Sequence, residues 1–403
     1  MLCTAALGLV AAGCGSDDKT ASTSTASPAA VTSEGSDSGA SELRAGLTGQ
    51  LEDHVYLASI AVAKGVGKGL DSAEFKAAAG TLDDNSVALS KSIESVYGAA
   101  AGKQFLALWR KHIGFFVDYT KAKATKDAAG ATKAKAALDG YRADFGAFIG
   151  GANPNLPAEA VAAELKPHVN SLFAAIDAVV AGKTSTYKLV AAAAAHMPMT
   201  ANILAGGIVK QFPDKFSGSV DAGAAALRAG LTAQLVDHVY LAALAVDTGV
   251  GAGLDSKAFT AAAGALDENS VALSKSIESV YGAAAGKQFL ALWRKHIGFF
   301  VDYTKGLATK DQAAADKALA DLDGYRADFG AFIGGANPNL PADAVAEELK
   351  PHVKSLADAI AADVKGSPET FDLIAAAAAH MPMTAKVLAG GIAKQFPDKF
   401  PAS

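Results

Sequence analysis

Eight histidines carry the chemistry open to this chain, and they are four positions used twice: His54, His112, His168 and His196, then His238, His296, His352 and His380. At 3.6 residues per turn each falls on the apolar stripe of its segment. His112, for instance, shares a face with Phe105, Trp109, Phe116 and Tyr119. An imidazole buried in that way needs a hydrogen-bond partner or an ion, and it is a frequent metal ligand. Each histidine also lies about 11 or 12 residues into its helix, roughly 17 Å at 1.5 Å rise per residue. In an up-and-down bundle the four rings of a set therefore meet at one level. The spacing predicts one four-histidine metal site per set, in the middle of a helical bundle.

Neighbouring residues bear on which ion. Met199 and Met383 stand one turn beyond His196 and His380, and a thioether beside imidazoles favours copper. Glu164 and Glu348 precede His168 and His352 by one turn. Asn85, Tyr141 and Asp144, with their counterparts Asn269, Tyr325 and Asp328, bring supporting polar groups to the same level. Such carboxylates also suit iron or zinc. Haem held between two histidines is a third alternative, without the Cys-x-x-Cys-His of covalent attachment. The competing reading is a metal-free layer of hydrogen-bonded rings that fixes helix register.

Patterns for other chemistries are missing. There is no Glu-x-x-His, no His-Glu-x-x-His and no Gly-x-Ser-x-Gly elbow. Gly65-Val-Gly-Lys-Gly69 looks like a phosphate loop, but no strand pattern precedes it and its copy, Gly249-Val-Gly-Ala-Gly253, lacks the lysine; it reads as a helix end. No general acid or base stands out, so no catalytic residue is assigned and a metal-dependent oxidase comes last among the readings.

Six helices per set must position these residues. The first, about residues 41–63, carries Leu47, Leu51, His54 and Leu57. The second follows the N-cap types Asp71-Ser72, and the third runs over about 101–121. The fourth, about 128–149, ends in the loop Gly150 to Pro157, and the fifth starts at Pro157. The sixth, about 185–210, carries His196 and Met199. Prolines 167 and 198 interrupt the last two beside their histidines, where each removes a backbone hydrogen bond. Strand patterns are absent, so the fold class is all-α.

The sets are a tandem duplication. Arg44 to Phe216 aligns without a gap on Arg228 to Phe400, with about four fifths of positions identical. The expected organisation is helical repeat 1 over 41–216, a short linker over 217–225 and helical repeat 2 over 226–403, two antiparallel bundles of about six helices each. Each repeat closes on Gln-Phe-Pro-Asp-Lys-Phe, read as a clamp back onto its bundle.

The N-terminus differs in kind. Leu2 to Ala12 is a short apolar run ending in Ala-Ala-Gly-Cys14, which resembles the signal peptide and lipobox of a bacterial lipoprotein, although the basic residues that would precede it are absent. The resemblance implies removal of 1–13, lipid on Cys14, a disordered tether over 14–40 and residence on the extracytoplasmic face of the cell membrane. With Cys3 removed, no cysteine is left for a disulfide. No later segment reads as a charge-free span of bilayer length. A net charge of −5 gives no basic field for nucleic acid, and the sequence names no protein partner.

The set His54-Val-Tyr-Leu-Ala, Trp109-x-x-His112-Ile-Gly-Phe-Phe-Val-Asp-Tyr, His196-Met-x-x-Thr-Ala and Gln211-Phe-Pro-Asp-Lys-Phe resembles secreted helical domains of Gram-positive bacteria that carry the label "copper amine oxidase". The quinone chemistry in that label needs the tyrosine of an Asn-Tyr-Asp/Glu motif, and no tyrosine here follows an asparagine. The expectation is thus a lipid-anchored metal-binding protein, copper first, for storage, delivery or protection. The alternative is a structural or interaction lipoprotein.

Overall fold

The computed structural model describes residues 35–403; the expected signal peptide, Cys14 and nearly all of the tether lie outside them. The described residues are all-α. Each copy supplies seven helices in the same order. The first gives α1 (Gly39–Lys68), α2 (Ala73–Tyr97), α3 (Ala99–Ala124), α4 (Ala128–Ala152), α5 (Ala158–Val180), α6 (Thr186–Ala194) and α7 (Met197–Gln211). The second gives α8 (Gly223–Ala252), α9 (Lys257–Tyr281), α10 (Ala283–Ala308), α11 (Gln312–Ala336), α12 (Ala342–Val364), α13 (Thr370–Ala379) and α14 (Met381–Gln395).

Local chemistry sets the ends. Ser38, Ser72 and Asp127 accept hydrogen bonds from the amides of Ser41, Phe75 and Gly130, caps worth about 1 kcal/mol each. Gly98, at φ 89°, both closes α2 and opens α3, a conformation that side-chain-bearing residues seldom adopt. The sixth helix of the sequence reading is two: the chain breaks at His196, and Pro198 sits in the first turn of α7, where its missing N–H costs nothing. Pro167, by contrast, is carried inside a continuous α5.

The two copies pack as parts of one compact unit, with α1 against α8 at the centre. Both helices are buried on nearly every face, which explains why their apolar residues follow no single stripe. Their seam holds the stacked rings of Tyr56 and Tyr240, 4.9 Å apart and 6° from parallel. The linker is shorter than expected, since α8 begins at Gly223. Three stretches, Thr186–Gln211, Gly223–Ala252 and Thr370–Gln395, are long and apolar enough to cross a membrane by length and composition, contrary to the sequence reading; 72% of the Gly223–Ala252 window is buried inside the protein.

The closing hexapeptides do return to their helices. Gln211 donates to the Ala152 carbonyl at 3.0 Å and accepts from the Tyr97 hydroxyl at 3.1 Å, while Phe212 meets the Tyr97 ring edge-on. Gln395, Ala336, Tyr281 and Phe396 repeat the arrangement.

Candidate metal centre

Three of the four histidines in each copy come together. His54 on α1, His112 on α3 and His168 on α5 are all buried, because each sits on the apolar stripe that its helix turns to the common core. The Nε2 atoms of His54 and His112 are 3.2 Å apart, and the His168 ring centroid lies 6.5 Å from that of His54. The second copy gives 3.3 Å for His238 and His296 and 6.4 Å for His238 and His352.

Burial makes these rings neutral. It pushes His54 and His238 down to about 3 and His168 and His352 down to about 4, each helped by a neighbouring histidine. His112 and His296 are lowered well below the ordinary value by burial and by the rings beside them, against an opposing pull from the Trp109 and Trp293 carbonyls. Tyr141 and Tyr325 stack on His112 and His296 at 4.9 and 4.8 Å, and Trp109 and Trp293 close the cluster edge-on. In both copies the same buried atoms lack a hydrogen-bond partner: the Nδ1 atoms of His54 and His168 and of their counterparts, the tyrosine hydroxyl and the tryptophan Nε1, while the His112 and His296 rings have only the Trp109 and Trp293 carbonyls beside them. An orphaned buried polar group costs about 1–3 kcal/mol, and its recurrence at equivalent places calls for a reason.

Several expected members are elsewhere. His196 and His380, at the helix breaks, pair with Glu164 and Glu348 at 3.1 and 3.3 Å; for His380 that carboxylate raises the pKa. They remain close enough to His168 and His352 to disfavour charge there, but the four-ring layer is a three-ring cluster whose fourth ring is held against a glutamate. Met199 and Met383 are 51% and 52% exposed, because the new helix started by Pro198 turns them outward. Asn85 and Asn269 bind the Gln50 and Gln234 carbonyls, one turn before His54 and His238, and not the rings. Asp144 and Asp328 pair with Lys111 and Lys295 at the surface. Of the supporting groups, only Tyr141 and Tyr325 touch the cluster.

Among the described residues no three His, Cys, Asp or Glu side chains already stand in a metal-holding arrangement. What the cluster does offer is a close pair of neutral imidazoles, a third ring in contact with one of them, and dry walls. That combination can share a proton between nitrogens or accept an ion once the third ring turns in.

A second buried polar group escaped the sequence reading. At the seam Glu52 is fully buried and neither carboxylate oxygen has a partner. Asp237 accepts from the Tyr56 hydroxyl at 2.8 Å, and Asp53 faces Tyr240 across the same seam. Burial raises Asp53 and Asp237 to about 7 and Glu52 well above its ordinary range. One signal was legible: Glu52 is matched by Val236 in the second copy, an exchange of charge for hydrocarbon inside an otherwise faithful stretch.

No family model, no curated protein and no solved structure matches the chain.

Proposed function

We propose that this protein binds a transition-metal ion in each copy through buried imidazoles, with His54 and His112 as paired ligands and His168 as the third; His238, His296 and His352 take the same roles. The supporting observation is the spacing of the paired Nε2 atoms, 3.2 and 3.3 Å. Two nitrogens bound to one ion at the ~2.0 Å of a zinc site, at a tetrahedral angle, lie about 3.3 Å apart. Deprotonated rings are also the state that ligation requires. His168 needs a side-chain rotation to join them.

Imidazole ligands suit copper, zinc and iron alike, and with Met199 turned to solvent copper loses its thioether argument. The cavities beside the rings, about 60 Å³ at the largest of those touching His54, are far below the roughly 300 Å³ or more of a cofactor pocket, which counts against haem. Three ligands leave a coordination position for another group, where the ion would act as a Lewis acid. A duplicated, enclosed site fits storage, delivery or protection, on a protein tethered through Cys14.

Metal analysis of the untagged chain tests this. Wild type should retain two equivalents, His112→Ala one, and His112→Ala with His296→Ala none, all with helical circular dichroism unchanged. A wild-type chain that retains no metal, and whose melting temperature does not rise with Cu(II) or Zn(II), supports the second reading instead. In that reading the same 3.2 Å contact is an imidazole–imidazole hydrogen bond in a metal-free core. For the tether, Cys14→Ala should move the protein out of the membrane fraction.

A further inference from the structure

An apolar cavity lies on either side of the histidine cluster in each copy. In the first copy the larger, about 60 Å³, is walled by Leu51, Ile93, Phe105 and Phe145 and touches His54 and His168. The smaller, about 40 Å³, lies between Ala58, Phe75, Ile113 and Phe116 and also reaches His54. The second copy repeats both, at about 50 Å³ beside His238 and His352 and about 30 Å³ beside His238 and His296. Because the cavities recur in two separately packed copies, they come from the shapes of the side chains and not from one local packing fault.

Their lining decides what can enter. A buried water needs two to four polar partners. Although His54, His168 and Trp109 border the larger cavity, the surface it presents is almost wholly apolar, and its hydroxyls, those of Thr200 and Tyr97, already donate, to Glu164 and Gln211; Thr384 and Tyr281 are engaged in the same way with Glu348 and Gln395. Apolar cavities of this kind stay dry and take apolar guests. Size then narrows the guest. A space of about 60 Å³ is well short of the roughly 150 Å³ that admits benzene, yet it exceeds the roughly 10–15 Å³ that holds one water. A diatomic molecule or a noble-gas atom fits.

We propose that the larger cavity of each copy is a binding site for a small apolar molecule of the dioxygen class, seated against the imidazole cluster. The site does not depend on a bound ion. Where the metal reading also holds, such a molecule is already inside the protein, beside a ligand ring of that ion.

Crystals of the metal-free protein under xenon pressure test the proposal, xenon serving as an electron-dense apolar stand-in. Xenon is expected beside His54 and beside His238. Ala152→Leu, which fills the first cavity, should lose the first atom and keep the second, and Ala336→Leu should do the reverse, so that each variant carries its own folded control. Dioxygen itself, under pressure in solution, should broaden the methyl resonances of Leu51 and Leu235 selectively, while nitrogen should not. Xenon at neither site, or at both in Ala152→Leu, overturns the proposal. As the protein is metal-free throughout, such a failure leaves the metal reading standing, and a chain that retains no metal leaves the xenon result standing.

Discussion

Asp53 and His54 are neighbours on α1, yet His54 joins the imidazole cluster of its own copy and Asp53 faces the seam between the copies. Burial acts on both and drives both toward neutrality by opposite routes: His54 gives up its proton, with a pKa lowered to about 3, and Asp53 keeps its own, with a pKa raised to about 7. The imidazole cluster is complete within each copy and nearly identical in the two, down to its orphaned nitrogens. The seam exists only where the copies meet, and it is not symmetric, since Glu52 stands where the second copy has Val236. Two polar interiors on adjacent residues of one helix thus differ in sign, in symmetry and in what would relieve them: an ion for the rings, protons for the carboxylates.

The largest expected effect follows from those opposite signs. Six buried imidazoles, His54, His112, His168 and their counterparts, have lowered pKa values. Their contribution is complete above the ordinary value of 6.5 and is lost as pH falls toward 4 and 3. Four carboxyls, Glu52, Asp53 and Asp237 at the seam and Asp363 on α12 beside Asp247 and Lys64, have raised values. Their contribution is complete below about 4 and is lost as pH rises through 7. Each group changes stability by about 1.4 kcal/mol per pH unit within its window. Between 4 and 6.5 the imidazoles outnumber the carboxyls, so urea unfolding of the metal-free protein should give its highest midpoint near pH 6.5 and a loss of several kcal/mol by pH 4.5. A midpoint higher at pH 4.5 than at 6.5 would mean that the seam, and not the rings, governs the interior.

Glu52→Val separates the two regions. It installs the residue that the second copy already accommodates, and it removes a buried carboxyl without a partner. Replacing buried ionic groups by well-packed hydrocarbon stabilises by about 1–4 kcal/mol in favourable cases. The gain should be greatest at pH 8, where the carboxyl has most cause to ionise, and the alkaline arm of the stability profile should flatten while the acid arm stays. A variant less stable than wild type at pH 8 would show that Glu52 has a partner and that the seam is not strained.

The sequence made the rings legible and the seam nearly invisible, for a physical reason. A histidine on an apolar stripe announces itself through a period of 3.6, as His112 does between Trp109 and Phe116, and three such positions on successive odd-numbered helices were bound to share a core. Glu52 and Asp53 lie on a helix whose other faces are also apolar, so no period separates the side that meets its own copy from the side that meets α8. The stacking of Tyr56 on Tyr240 and the Tyr56–Asp237 hydrogen bond reveal which face docks. The misplacement of His196 and Met199 has a different origin. A proline in a helical pattern predicts either a kink or a new start; at Pro167 the helix continues, whereas at Pro198 it restarts, and the restart rotates Met199 away from the cluster.

The smallest effect is the one that tests this last placement. Met199→Ala should leave the metal content at two equivalents and shift stability by less than about 0.5 kcal/mol, as expected for an exposed side chain away from special structure; Met383→Ala should match it. A tenfold or larger loss of Cu(I) affinity in Met199→Ala would instead bring the thioether back to the ion. His196 would then have to leave Glu164, since the break that turns Met199 outward also holds His196 against that carboxylate. The cluster would regain the fourth ring and the sulfur ligand that the spacing alone suggested, and the contrast between a closed imidazole core and a proton-holding seam would have to be redrawn with the core open at the α6–α7 break.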